Sequence, residues 1–264
     1  WPSAAVSLNQ IPSDWAIRAS EWLERLLYRQ ASQVTAVTQP FCEHIDRVRG
    51  RGPATALLPN GTLDLFFEPA EPGDVRRRLG ARDGKPLVTF AGTLGIAQAL
   101  PSVLDAAALD DGIDWALVGD GPVRERLVAK ARSRGLDNVL FHPQVPLEEV
   151  PAFLAASDAL LVTLAAHETF QGFVPSKLVD FMAAGKPILL AAAGESARLL
   201  EEAGAGIAVA PEDPAALAEA ARRLVSQPEE ADAMAARGRA YARERLRSVQ
   251  AARLEELLLG LARR

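Results

Sequence analysis

Residues 172–187 read Gly-Phe-Val-Pro-Ser-Lys-Leu-Val-Asp-Phe-Met-Ala-Ala-Gly-Lys-Pro, and they put an amine and a carboxylate on one short segment. Pro175 and Ser176 open a helix there, and Gly185 and Pro187 stop it, the order of breakers expected at the two ends of a helix. A helix start presents free backbone N–H groups and a positive dipole end, which suits a phosphate. Lys177 in the first turn opposes that dipole unless an anion binds beside it. Asp180 follows Ser176 by one helical turn, on the same face, where it can accept hydrogen bonds from sugar hydroxyls. The same residues also make an ordinary surface turn with a Lys177–Asp180 pair. Local physics leaves both readings open.

Other loops carry polar chemistry with weaker signals. Gly92-Thr93-Leu94-Gly95 follows a strand and precedes a helix, and glycine there lets backbone approach a ligand closely. It is not the Gly-x-Gly-x-x-Gly of a dinucleotide dehydrogenase. Gly119-Asp120-Gly121-Pro122 ends another strand, and Asp120 also reads as a plain cap. Phe141-His142-Pro143-Gln144-Val145 follows a third strand, and His167-Glu168-Thr169-Phe170-Gln171 precedes the Pro-Ser-Lys turn. His142 and His167 lack a third ligand at recognisable spacing, so no metal is expected. Gly-x-Ser-x-Gly, Walker A and zincin patterns are absent, and with them a constellation for nucleophilic hydrolysis.

The 172–187 segment resembles the nucleotide-sugar signature of GT-B glycosyltransferases of the large retaining family four. That signature is Glu, seven residues, Glu, then an Ala-rich stretch, Gly, Lys or Arg, and Pro. Asp180 matches the second acid, conservatively changed, and Gly172 stands where the first would be. The Pro175-Ser176-Lys177 version resembles the bacterial capsule and O-antigen transferases that use UDP-linked N-acetylamino sugars. Pro-Asn-Gly at 59–61, followed by Asp64 and Phe66, is a family landmark near the interdomain crossover.

The resemblance implies a site. Gly92, Thr93 and Gly119 would line the nucleotide cleft, with Gln144 and Val145 at the nucleobase edge. Pro175, Ser176, Lys177 and Asp180 would hold the donor's diphosphate and sugar. The family commonly carries Arg and Lys after the strand that ends at Ala91. Here Ala91-Gly-Thr-Leu-Gly-Ile-Ala-Gln98 has no cation, so Lys177 is expected to neutralise the diphosphate, and Glu168 to meet sugar hydroxyls in place of the missing acid. The implied reaction moves a sugar from a UDP-sugar to a glycan or polyprenyl-linked acceptor, with retention, in cell-surface polysaccharide synthesis. The departing diphosphate would be stabilised by helix N–H groups and Lys177. No cofactor is implied. Two alternatives stay open: an epimerase resembling UDP-N-acetylglucosamine 2-epimerase, and a donor-binding module without turnover.

These residues need a scaffold. The chain has 264 residues, 49% hydrophobic and 24% charged, with a net charge of −5. That charge disfavours nucleic acid as a partner. One cysteine, Cys42, excludes an internal disulfide framework and accords with a cytoplasmic protein. No apolar run is long enough to span a bilayer. From Pro86 onward, short apolar runs alternate with helical patterns: Leu87–Ala91, Trp115–Val118, Val139–Phe141, Ala159–Leu164, Ile188 onward and Ile207–Val209 read as strands. That alternation predicts an α/β fold with a doubly wound parallel sheet.

The resemblance implies that residues 1–79 are the last part of an N-terminal Rossmann-like domain, and 80–264 a complete C-terminal nucleotide-sugar-binding domain. Ser13 or Asp14 caps a first helix carrying Trp15, Leu23, Leu26 and Leu27. Trp1-Pro2 opens without a Gly-rich strand and turn, and Trp1-Pro-Ser-Ala-Ala-Val resembles the middle of the family's first domain, so the chain is expected to begin inside that domain. Leu254, Leu257, Leu258 and Leu261 make a stripe on the last helix that must pack on something, the family's crossing onto the first domain being the leading expectation. With Arg243, Arg245, Arg247, Arg253, Arg263 and Arg264 nearby, peripheral contact with the inner membrane face is the competing reading.

Overall fold

The computed structural model describes residues 13–263; Trp1-to-Val6 and Arg264 lie outside that range. The first part of the chain is α1 (Asp14–Gln30), β1 (Thr35–Ala36), α2 (Gln39–Arg49) and β2 (Ala56–Leu57). β1 and β2 pair in parallel, Thr35 with Ala56 and Ala36 with Leu57. Pro40 sits in the first turn of α2, where its missing N–H costs nothing, and Gly50 ends the helix at a φ of 76°. A 3-10 turn at Asp64–Phe67 and the short α3 (Val75–Leu79) lead into the main sheet.

That sheet takes its strands from the alternating region. β3 (Leu87–Ala91), α4 (Pro101–Ala107), β4 (Asp114–Val118), α5 (Arg124–Ser133) and β5 (Val139–His142) come first. Then follow α6 (Val150–Ala155), β6 (Ala159–Thr163), α7 (Ser176–Ala183), β7 (Ile188–Ala191), α8 (Glu195–Ala203) and β8 (Gly206–Val209). α9 (Pro214–Ser226), α10 (Pro228–Arg243) and α11 (Arg247–Ala262) close the chain. The strands lie in the order β5-β4-β3-β6-β7-β8, all parallel.

The central strands are apolar on both faces because helices cover both. Val88, Phe90, Trp115, Leu117 and Leu161 pack towards α4, α5 and α9. Leu160, Val162, Ile188 and Leu190 pack towards α7, α8 and the Ala242 end of α10. From β3 the chain works outward through β4 and β5, then returns to β6 beside β3 and works outward the other way. The order therefore reverses between β3 and β6, and the crevice at such a reversal is where ligands of doubly wound sheets bind.

Several contacts join the two parts among the described residues. Thr38 Oγ1 donates to the Gly172 carbonyl at 2.8 Å. The Phe41 and Phe173 rings meet edge-on, 5.1 Å between centres. Thr62 pairs in parallel with Leu246, donating its N–H to the Arg245 carbonyl and accepting from the Arg247 N–H, each at 2.8 Å.

Two helices leave apolar side chains exposed among the described residues. α1 turns Glu24 inward, where Tyr28 donates its hydroxyl to Oε1 at 3.0 Å, and leaves Trp15, Leu23 and Leu27 exposed together with Trp22. On α11 only Gln250 is buried. Leu254 and Leu258 of its expected stripe stay exposed among the described residues, and so does Leu259, which lies off the stripe. Leu257 and Leu261 of the same stripe are half-buried.

Candidate functional site

α7 is built by its ends. Pro175 precedes it in an extended conformation, and Gly185 follows Ala184 at a φ of 71°, a backbone state that suits glycine. The helix lies beside the β3–β6 reversal and points its first turn at the carboxyl end of β3. There a cavity of about 390 Å³ opens. Thr93 and Gly92 after β3, Gly119 and Asp120 after β4, and Gln144 and Val145 after β5 line one side. Ser176, Lys177, Asp180 and Phe181 of α7 line another. Leu147, Val150 and Phe153 make an apolar wall near Gln144, and Phe66 closes part of the rim.

The floor is a pair of interlocked turns. Gly92 N–H donates to the Val118 carbonyl at 2.9 Å, Leu94 N–H to Asp120 at 2.8 Å, and Gly119 N–H to His142 at 3.0 Å. Gly119 has a φ of 144°, and a Cβ there would overlap the Gly92 carbonyl oxygen. Only glycine lets the two loops close on each other in this way. Asp120 does not cap the following helix as one reading had it: its Oδ1 accepts from the Gly121 N–H at 2.7 Å.

Lys177 dominates the electrostatics. Its Nζ is buried with no hydrogen-bond partner and stands 3.8 Å from the centre of the Phe90 ring. A Cβ on Gly92 would come within 2.5 Å of it. Burial lowers the amine from its usual value to about 7, because removal from water disfavours the charged form. A buried amine without a hydrogen-bond partner, on a residue that lines a cavity and beside the N–H groups of a helix start, is chemically suited to an anion.

Asp180 is held more tightly than its sequence suggested. Thr62 donates its hydroxyl to Oδ1 at 2.8 Å, and the Leu63 N–H also donates to the carboxylate. Arg247 stands 3.9 Å from Oδ2. Burial pushes the carboxyl up from its usual range, while Thr62, Arg247 and Leu63 pull it back. A carboxylate offers about four acceptor positions, so some remain for the cavity it lines.

The structure thus brings Gly92, Thr93, Gly119, Gln144, Val145, Ser176, Lys177 and Asp180 together around one space. Pro175 sets the helix start without lining it. Glu168 is placed elsewhere: it is exposed on a 3-10 turn, Glu168–Gly172, and borders a neighbouring cleft of about 280 Å³ with His167, Gln171 and Ala193. The turn has its own cap, His167 Nδ1 accepting from the Thr169 N–H at 3.1 Å. His142 packs against Phe153, 5.0 Å between ring centres, and does not line the main cavity. Sequence reasoning missed Phe90 and Thr62. Phe90 looks like any strand residue, and Thr62 reaches Asp180 across a separation that no local pattern encodes.

Gly172, where the resembling signature has its first acid, faces Phe41. A Cβ there would lie 3.2 Å from the Phe41 ring, tighter than ordinary contact.

The profile of the family described as "Glycosyl transferases group 1" matches residues 73–241. WcaI of Escherichia coli (strain K12), named as a candidate colanic acid biosynthesis glycosyl transferase, is 32% identical over 162 residues, 59% of this chain and 40% of WcaI. The chain therefore spans about two fifths of that relative's length. Among solved structures, sucrose-phosphate synthase from Thermosynechococcus elongatus superposes with a TM-score of 0.79 at 24% identity, over 97% of this chain and 65% of its own. HepE from Anabaena in complex with UDP gives 0.78 at 24% identity, over 91% of this chain and 68% of its own. The fold is that of the GT-B glycosyltransferases. On the match over residues 73–241, the chain belongs to the glycosyl transferases group 1 family.

Proposed function

We propose that this chain binds the donor for a glycosyl transfer, a UDP-sugar, in the cavity at the β3–β6 reversal. The observation that carries the reading is Lys177, which lines that cavity and whose Nζ is buried without a hydrogen-bond partner. The diphosphate sits against Lys177 and the first turn of α7. The uracil lies towards Gln144, Val145 and the wall of Leu147, Val150 and Phe153, and the ribose meets Asp180. HepE, which shares the fold, has been solved with UDP and with UDP-glucose, and this supports the choice of nucleotide.

In this reading residues 80–264 form the donor domain and residues 1–79 belong to the acceptor side. Lys177 and the helix N–H groups gather charge as the diphosphate leaves, which lowers the barrier because they are fixed before the reaction begins. The sugar departs through an oxocarbenium-like state, and a glycan or lipid-linked acceptor hydroxyl arrives on the same face, giving retention. Glu168 lies in the adjoining cleft and is our choice for contact with the donor sugar. The setting we propose is bacterial surface polysaccharide synthesis in the cytoplasm, in keeping with the name of WcaI. Among the described residues no helix is long and apolar enough to cross a membrane.

The test is a thermal-shift panel of nucleoside diphosphates and UDP-sugars, followed by incubation of the best UDP-sugar with and without acceptor. UDP compounds are expected to stabilise most. A new UDP-sugar formed without acceptor would mean epimerisation instead, and no response to any UDP compound would overturn the reading.

A further inference from the structure

We propose that Thr62 is a positioning residue for the nucleotide's ribose, acting through Asp180. The proposal rests on the reading of Asp180 as the ribose contact. Thr62 lies far away in sequence, in the segment that crosses between the two parts of the chain, and makes no contact with the cavity itself.

Three observations carry it. First, the Thr62 side chain is fully buried, and its hydroxyl donates to Asp180 Oδ1 at 2.8 Å. Hydrogen bonds to an ionised carboxylate are the strong ones, and burial strengthens them further. Second, the Thr62 backbone is fixed in place. Its backbone N–H is held by the Arg245 carbonyl and its own carbonyl by the Arg247 N–H, each at 2.8 Å. Gly61 beside it is pressed so close that a Cβ would lie 2.9 Å from the Arg247 nitrogen. Third, Asp180 has a competing partner. Arg247 stands 3.9 Å from Oδ2, and its side chain is half exposed. Without the Thr62 hydroxyl only the Leu63 N–H still holds the carboxylate against a swing towards that guanidinium, which would withdraw its open acceptor positions from the cavity.

The consequence is specific. A ribose diol needs acceptors at a fixed place, so Thr62 controls discrimination between ribose and deoxyribose while leaving the diphosphate and base contacts untouched. A purely structural role would weaken both nucleotides alike.

The experiment is calorimetric titration of UDP and 2′-deoxy-UDP into wild type, Asp180→Asn, Thr62→Val, Thr62→Ala and Thr62→Ser. Wild type is expected to prefer UDP. Thr62→Val and Thr62→Ala should each lose about tenfold in UDP affinity, with deoxy-UDP affinity within about twofold of wild type. Thr62→Ser, which keeps the hydroxyl, should retain the preference. A folded Thr62→Val or Thr62→Ala that keeps the full preference, or that loses both nucleotides equally, overturns the proposal. So does Thr62→Ser losing the preference, a result that stands even if the other two variants do not fold. If Asp180→Asn itself leaves the preference intact, the ribose reading has failed. If Asp180→Asn erases it and Thr62→Val does not, only the role of Thr62 has.

Discussion

The Nζ of Lys177 stands 3.8 Å from the centre of the Phe90 ring. One side chain comes from the first turn of α7 and the other from the core of β3. The ring's negative face partly compensates a cation that has no hydrogen-bond partner. The arrangement keeps the amine dry, which lowers it to about 7, on a residue that lines the cavity.

The first prediction concerns stability. Lys177 has an ordinary value of 10.5 and lies at about 7 in the fold. Between those limits the unfolded chain binds more protons than the folded one, so this residue makes stability rise with pH across the window. Below pH 7 the cost of the buried charge is present in full. Lys177→Met removes that cost, so the variant should unfold at higher denaturant than wild type at pH 6, with the gap closing towards pH 10. Parallel pH profiles for the two proteins would show that the amine is not desolvated.

Ligand binding should carry a proton signal of its own. At pH 8 the free amine is mostly neutral, and a diphosphate beside it favours the charged form. UDP binding at pH 8 should therefore take up close to one proton, measured by calorimetry in two buffers of different ionisation enthalpy. In Lys177→Met the uptake should vanish. Equal uptake in both proteins would assign the proton to another group.

Gly119→Ala tests the floor of the cavity. The residue has a φ of 144°, and the added methyl would strike the Gly92 carbonyl. Strain of this kind costs of order 1–3 kcal/mol, and relief by moving the Gly92 loop would open the cavity. A fall in Tm of several degrees together with weaker UDP binding is expected. Wild-type values of both would show that the two loops are not interlocked in solution.

The residues themselves announced much of this architecture. The strand from Leu87 to Ala91 was readable to the residue, because a continuous apolar run between breakers has few other uses in an alternating α/β chain. The Pro175-Ser176-Lys177 start and the Gly185 stop marked α7, since capping is chemistry of neighbours in sequence. Lys177 stood out as a charge on the wrong end of a helix dipole. Contacts between distant segments were illegible. Nothing near Thr62 indicates that it grips Asp180, and nothing near Phe90 indicates a lysine above its ring. The packing of α1 was not legible either: apolar Trp15 and Leu27 stay exposed, and the helix turns its Glu24–Tyr28 side inward. Glu168 was chosen for its charge and its place before the Pro-Ser-Lys turn, with no spacing to fix it, and it borders the cleft beside the main cavity.

The most direct measurement is the affinity of wild type and Lys177→Met for UDP and for uridine, by calorimetry at pH 7. The claim is that Lys177 meets the diphosphate and not the base. A charge-assisted contact is worth roughly 1.5–3 kcal/mol, so the variant should bind UDP about 10- to 100-fold more weakly. Its uridine affinity should be unchanged. Equal losses for the two ligands, or no loss for either, would contradict the account.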